Sequence, residues 1–464
     1  MAEPEDLVNR CWSWERLVTE NAPLWGEETA KALENFGGGE ALPRSLIQAY
    51  GEVKWAALEA LQETHQLFTP TMMEALRESC AEVVRGRLDS SFPLPITQGG
   101  AGTSFHMNLN EVLSARAAQL SGEAPPDPIE DLARFQSTND TFATACVVAA
   151  YRCVEQAEQS TIALQEILVN LETRHDHVLM VGRTELQDAL PMRAGSLFGA
   201  WAGGVERDRW RLSKVAERLR EVPLGGTALG TGFGAPRRYA HAAERHLRRI
   251  TSLPLCRSQN MMDGVALKDS LAEAAGALRL MALNVSKFAG DLLYYTSQSI
   301  GEIHHPELQY GSSMMPLKAN PVLLERGRGL ALSAMAEAQK VDMYARDGQL
   351  QLNAYLPFLI RSYLHCSQES ITAQQDLIRF LTVMELDEKQ MEERLCQSPA
   401  LLNALLPLLG YRALKTLGER VRQERPHTVE DFAALVVDEC DLSPHDVARA
   451  LRPAALTGPP KETL

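Results

Sequence analysis

The stretch GSSMMPLKANP, residues 311–321, sets Ser312, Ser313, Lys318 and Asn320 among a glycine and two prolines. Three more knots of hydroxyl and amide side chains precede it: GGAGTSFHMNLNEV at 99–112, QSTNDTFATA at 136–145 and GRTELQDALPM at 182–192. Ser, Thr and Asn give uncharged hydrogen bonds to carboxylate oxygens, and Lys318 adds a charge-assisted one. A small dianionic acid suits that inventory. Glycines at 99, 100, 102, 182 and 311 permit close backbone approach, and loop N–H groups can hold an anion as well as side chains can. Taken singly, each cluster also reads as a helix cap, because Ser, Thr or Asn followed by Asp or Glu is a common helix start. Four of them together favour a shared polar site, yet spacing alone names no reaction.

Two other features carry less. The Gly-rich PLGGTALGTGFGAP (223–236) follows a helical pattern and lacks the preceding strand and ribose-binding acid of a dinucleotide loop, so it reads as a flexible connector between helices. His304-His305 and the pair His175 and His177 have no third ligand at a fixed helical spacing, which favours surface or packing roles over metal.

The elements that must position these clusters are long helices. Between Pro254 and Pro306 there is no proline, and Leu271, Ala274, Leu278, Met281, Val285, Phe288, Leu292 and Tyr295 recur at spacings of three and four. That stripe predicts one long helix. Residues 129–190 and 322–356 are also free of proline and rich in helix formers. Small and apolar residues on more than one face, as in AEAAGALRLMALNVSKFAG, can be buried only in a bundle or against other subunits. Ser443 before Pro444 and Asp446, and Thr428 before Asp431, mark helix starts near the end; TGPPKETL reads as a loose tail. Strand signals are few, with SFPLPI (91–96) a candidate minor hairpin.

At 464 residues the chain is long enough for two or three domains, and 45% hydrophobic with 23% charged residues is a globular balance. A net charge of −14 without a basic run argues against a nucleic-acid surface. No basic-then-apolar leader opens the sequence, and no apolar run reaches the roughly 18 residues of a membrane span. Eight scattered cysteines without a C-x-x-C pair read as reduced, mostly buried thiols of a cytoplasmic protein.

The clusters are recognisable as an ordered set. GSSMMPLKANP resembles the signature loop of the fumarase/aspartase superfamily, G-S-x-x-M-P-x-K-x-N-P, at every fixed position. GGAGTSFHMNLNEV, QSTND, GRTELQDALPM, LWGEETAKALENF, PLGGTALGTGFGAP and GQLQLN extend the resemblance over most of the chain, closest to the aspartate ammonia-lyase and class II fumarase branch.

The resemblance implies a mainly α, three-domain subunit with a central long five-helix bundle. Its domains would be an N-terminal helical domain over 1–136, the bundle over 137–395 and a small C-terminal helical domain over 396–464. It further implies a cytoplasmic homotetramer with active sites shared between subunits, no nucleic-acid or membrane partner, and no metal or organic cofactor. By the same resemblance Ser312 would be the base. Thr103, Ser137, Thr138, Asn139, Thr184, Ser313, Lys318 and Asn320 would hold the carboxylates of a substituted succinate, whose elimination gives fumarate through an aci-carboxylate.

Four positions depart from that pattern. Glu185 stands where relatives carry His or Gln, His106 where they carry Asn, TSQSIGEI (296–303) where they have G-P-R-x-G-L-x-E-I, and NAYLP (353–357) for NVMEP. Ionised, Glu185 would bind an ammonium or amine and favour a carbon–nitrogen lyase; neutral, it could act as a general acid. His106 could instead simply pair with it as a compensating change. The expected activity is elimination of ammonia or an amine from aspartate or a modified aspartate. The alternatives are a fumarase-like hydratase, a lyase for another substituted succinate, and a non-catalytic relative.

Overall fold

The computed structural model describes residues 23–457. Cys11 and nearly all of the TGPPKETL tail lie outside the described residues. The apolar stripe sets the architecture. Leu271, Ala274, Leu278, Met281, Val285, Phe288, Leu292 and Tyr295 are all buried on helix Asp269–Tyr295. At about 1.5 Å per residue this helix is roughly 40 Å long.

Numbering helices along the described residues, α1 is Glu27–Phe36, α2 Arg44–His65, α3 Pro70–Val84 and α4 Thr103–Ser121. Then come α5 (Thr138–Arg174), α6 (Ala194–Arg218), α7 (Arg237–Thr251) and the short α8 (Met261–Ala266). The stripe-bearing helix is α9, followed by α10 (Val322–Arg346) and α11 (Leu356–Val383). Among the described residues five helices, α5, α6, α9, α10 and α11, exceed 24 residues and make a central bundle.

Two compact units divide the chain. The first comprises residues 1–158, 210–280 and 333–370; the second comprises 159–209, 281–332 and 371–464. In the first, Tyr363 donates to the Ala150 carbonyl at 3.2 Å and Arg218 pairs with Glu273, joining α11 to α5 and α6 to α9. In the second, Trp201 stacks on Phe288 at 5.0 Å between ring centres, Asn284 donates to Asp208, and Arg326 pairs with Asp376 at 3.3 Å.

Polar motif residues also hold helix ends. The Glu111 carboxylate on α4 accepts from the backbone N–H groups of Gly26, Glu28 and Thr29 and from the Thr29 hydroxyl, which caps α1 from a distant part of the chain. Asn353, in GQLQLN, donates to the Tyr344 and Ala345 carbonyls at the end of α10 and accepts from the Tyr355 N–H at the start of α11. The C-terminal helices start where the sequence places them. Ser443 caps Pro444–Ala450, and Thr428 with Asp431 forms a reciprocal capping box at Val429–Glu439. Beneath them Leu395, Leu401, Leu405, Leu417, Phe432 and Val436 form a separate apolar cluster.

Strand is sparse, in three two-stranded pieces among the described residues. SFPLPI forms no hairpin; Asp89–Ser91 is a single 3-10 turn and Pro95 makes one isolated bridge to Ala41. The hairpin lies elsewhere, at the end of the proline-free 129–190 stretch and just beyond it, through Pro191. After α5 stops at Arg174, β1 (Leu179–Thr184) pairs antiparallel with β2 (Gln187–Arg193). The Gly-rich connector is also no loose tether: residues 222–227 are buried and bonded to the QSTND segment.

Candidate active site

The signature loop is closed by its own atoms. Asn320 donates its side-chain amide to the Gly311 carbonyl at 2.7 Å, clamping the two ends together. A Cβ on Gly311 would lie 1.7 Å from the Lys318 carbonyl oxygen, so only glycine fits the closure. Leu317 is held at φ 65° and is almost fully exposed, a left-handed conformation that costs a non-glycine residue about 1 kcal/mol or more. Inside this ring the backbone N–H groups of Met314 and Met315 both donate to the Ser312 hydroxyl oxygen, at 3.2 and 3.1 Å. Donors aimed at that oxygen favour its alkoxide form. Ser313 and Lys318 are exposed on the same loop, and Ser312 and Asn320 are half-buried.

The QSTND segment is built in the opposite way, from buried groups. Asp140, fully buried, accepts from the Ser137 N–H at 2.9 Å and from the N–H groups of Gly225 and Thr227 at 3.0 and 3.1 Å. Burial pushes its carboxyl up to about 6, against those donors, which stabilise the ionised form. Asn139 donates to the Ala228 carbonyl at 2.8 Å, so the connector runs directly over Ser137, Thr138 and Asn139. Thr138 opens α5 and is buried; its hydroxyl meets His106 Nδ1 at 2.9 Å.

His106 Nε2 in turn lies 3.1 Å from the Nζ of Lys54, a fully buried lysine on α2. Burial lowers the Lys54 ammonium to about 7, and burial with the nearby Lys54 charge holds His106 well below its usual range. Both ring nitrogens of His106 are therefore engaged. The compensating pair with Glu185 is not what His106 makes.

Thr103 begins α4 and is exposed, its hydroxyl donating to the Gly100 carbonyl at 2.7 Å. The preceding Gly102, at φ 92°, would place a Cβ 2.5 Å from the Phe142 ring. That contact packs the Thr103 turn against the first turns of α5, in the same unit as Ser137, Thr138 and Asn139.

Thr184 and Glu185 lie at the hairpin tip. Glu185 and Leu186 form the two-residue turn with φ of 53° and 61°, positions where Asn-Gly is the usual choice. Holding two ordinary side chains there costs about 1 to 3 kcal/mol each, and strain of this kind concentrates at working sites. The tip is anchored by Arg183. Its guanidinium forms two hydrogen bonds with the fully buried Glu302, at 2.7 and 2.6 Å, and lies near the Tyr294 and Tyr295 rings, 5.9 and 5.8 Å from their centres. Glu185 lines a cleft with Arg183, Trp201, Lys287, Asp291 and Tyr294. Among the described residues no hydrogen bond joins this tip to the 311–320 loop.

Sequence reasoning identifies the loop and turn residues but misses Lys54, Asp140, Arg183 and Glu302, which hold them. A signal existed for Lys54, a charged residue in the apolar run AYGEVKWAALEAL, and for Asp140, the one acid of QSTNDTFATA. No group of three or more His, Cys, Asp or Glu side chains is arranged for a metal among the described residues. No helix there is long and apolar enough to cross a membrane.

Comparison with known proteins agrees with these motifs. A family model described as Lyase matches residues 15–336. The chain is 32% identical to fumarate hydratase class II of Xylella fastidiosa over 444 residues, 94% of this chain and 92% of the relative. It is 31% identical to aspartate ammonia-lyase of Bacillus subtilis, over 94% of this chain and 93% of that one. A crystal structure described as a fumarate lyase:delta crystallin from Brucella melitensis superposes with a TM-score of 0.87 at 30% identity, covering 95% of this chain and 97% of the other. The chain belongs to the fumarase/aspartase superfamily of lyases.

Proposed function

We propose that the chain is an aspartase-like carbon–nitrogen lyase that eliminates ammonia or an amine from aspartate or a modified aspartate to give fumarate. Ser312, as alkoxide, takes the proton from the carbon beside one carboxylate. The electron pair left behind spreads into that carboxylate as an aci-form, held by Lys318 and Asn320, and then expels the nitrogen on the neighbouring carbon. Thr103, Ser137, Thr138, Asn139, Thr184 and Ser313 bind the carboxylates. The two N–H groups on Ser312 Oγ support the base assignment.

The observation that carries the carbon–nitrogen choice is Glu185, a carboxylate on a strained hairpin tip in a cleft. An ionised acid there attracts an ammonium or amine leaving group, whereas a neutral hydroxyl leaving group gains nothing from that charge. The near-equal identity to fumarate hydratases keeps a hydratase as the second reading. The proposal includes a cytoplasmic homotetramer with shared sites and domains over 1–136, 137–395 and 396–464. Exposed Val169, Trp210, Leu283, Leu332 and Met343 on the long helices offer apolar surface to other copies.

The test follows fumarate absorbance with the purified protein and L-aspartate, L-malate and a panel of N-substituted aspartates. Release from one amine substrate that disappears in Ser312→Ala supports the reading. Turnover of L-malate alone would replace it with the hydratase, and silence across the panel from folded protein would reject both.

A further inference from the structure

Lys54 is a buried lysine without a carboxylate bonded to it. Its Nζ contacts three acceptors: the Leu132 carbonyl at 3.0 Å, Gln136 Oε1 at 2.8 Å and His106 Nε2 at 3.1 Å. The Gln136 amide nitrogen donates to the Leu132 and Arg134 carbonyls, which turns its oxygen toward the lysine. An ammonium has three N–H donors and no acceptor. When Lys54 is charged, His106 Nε2 must therefore accept, so its ring proton sits on Nδ1 and is donated to Thr138 Oγ. The Thr138 hydroxyl keeps its own proton to give away.

We propose that Lys54 and His106 are positioning residues that fix the Thr138 hydroxyl as a hydrogen-bond donor to a substrate carboxylate. The inference rests on the assignment of Thr138 as a carboxylate-binding residue. Loss of the Lys54 proton to solvent reverses the arrangement. A neutral amine has a lone pair, the His106 proton moves from Nδ1 to Nε2 to meet it, and Nδ1 then accepts the Thr138 proton that the carboxylate had used. The charged or titratable groups acting on Lys54 are His106 from α4, Cys80 from α3 and Asp140 from α5. Burial lowers the lysine to about 7, so the exchange falls near neutral pH. Carboxylate affinity should fall as pH rises through that region.

The experiment titrates the full-length protein with fumarate by calorimetry from pH 6.5 to 8.5; Asp140, at about 6, still titrates at the lower end in every variant, so the slope is read as the difference between wild type and variants. Wild type is expected to lose about tenfold in affinity across that range, the scale of one lost hydrogen bond to a charged group. Lys54→Met and His106→Phe should bind about tenfold more weakly at pH 6.5, with a flat profile. His106→Gln, which keeps one acceptor and one donor, should recover most of the loss; this variant and Lys54→Met decide the matter if the phenylalanine does not fold. A wild-type profile unchanged in Lys54→Met, full affinity in His106→Phe, or no recovery in His106→Gln relative to Lys54→Met overturns the positioning role. Thr138→Val binding fumarate like wild type overturns the underlying carboxylate assignment instead, a separate result.

Discussion

The 311–320 loop and the 136–140 turn are assembled by opposite rules. The loop is exposed and closed on itself, with Asn320 bonded to Gly311 and Ser312 to its own neighbours' N–H groups. The turn is sunk among buried partners from three distant segments, with Asp140 on Gly225 and Thr227, Thr138 on His106 and Gln136 on Lys54. Groups that recognise a constant feature can be built into the core, where each neighbour fixes the next. A residue that must carry a proton and admit substrate belongs on a segment whose bonds are local, so that it can move as a body. Damage to the two regions should therefore be read on different instruments.

Ser312→Ala gives the largest expected effect: a loss of about a thousandfold in turnover, the scale of a removed general base, with the melting temperature unchanged. A fall in melting temperature would erase the contrast. Gly311→Ala comes next. Its methyl cannot occupy the space beside the Lys318 carbonyl, so the ring opens and turnover should drop about a hundredfold, again without loss of stability.

Asp140→Asn reverses the pattern. Its amide presents donors toward N–H groups that need an acceptor, costing about 2 kcal/mol in denaturant unfolding and weakening fumarate binding. Lys54 supplies the smallest effect. Its folded value near 7 lies below the ordinary lysine value of 10.5, so between these limits the unfolded chain binds more protons and stability rises with pH. Below pH 7 the burial cost is fully present. Lys54→Met should remove from the pH 7 to 9 stability profile a slope of at most about 1.4 kcal/mol per pH unit. Parallel profiles for the two proteins would show that Lys54 does not titrate there.

The sequence made the loop legible because chemistry and backbone constraint coincide in one short stretch: Gly311, Ser312, Lys318 and Asn320 all act within eleven positions. The long helices were legible for a similar reason, since the stripe from Leu271 to Tyr295 repeats in register with one face. The hairpin was hidden. Its tip uses Glu-Leu where turn chemistry would call for Asn-Gly, and its anchor, Arg183 on Glu302, joins residues 119 apart. Lys54 and Asp140 were hidden for the same cause, because a buried charge is explained by neighbours that only the fold supplies. The Gly-rich connector was misread as flexible because glycine permits both freedom and close packing. Gly225 and Gly230, whose added Cβ atoms would strike Ala240 and Met261, use the second property.

Glu111 has a bearing on the order in which the molecule completes itself. Helices usually borrow a cap from the residue just before them, but α1 takes its cap from an acid more than eighty residues downstream. Its first turn is therefore capped only once α4 is in place, and that cap shares with the packing of α1 on α4 the closure entropy of the intervening chain. The start of the described chain is thus a late reporter. Protection of Gly26 and Thr29 amides from hydrogen exchange should track the assembly of α4, roughly 300 Å of extended chain contour away, rather than any property of α1 itself.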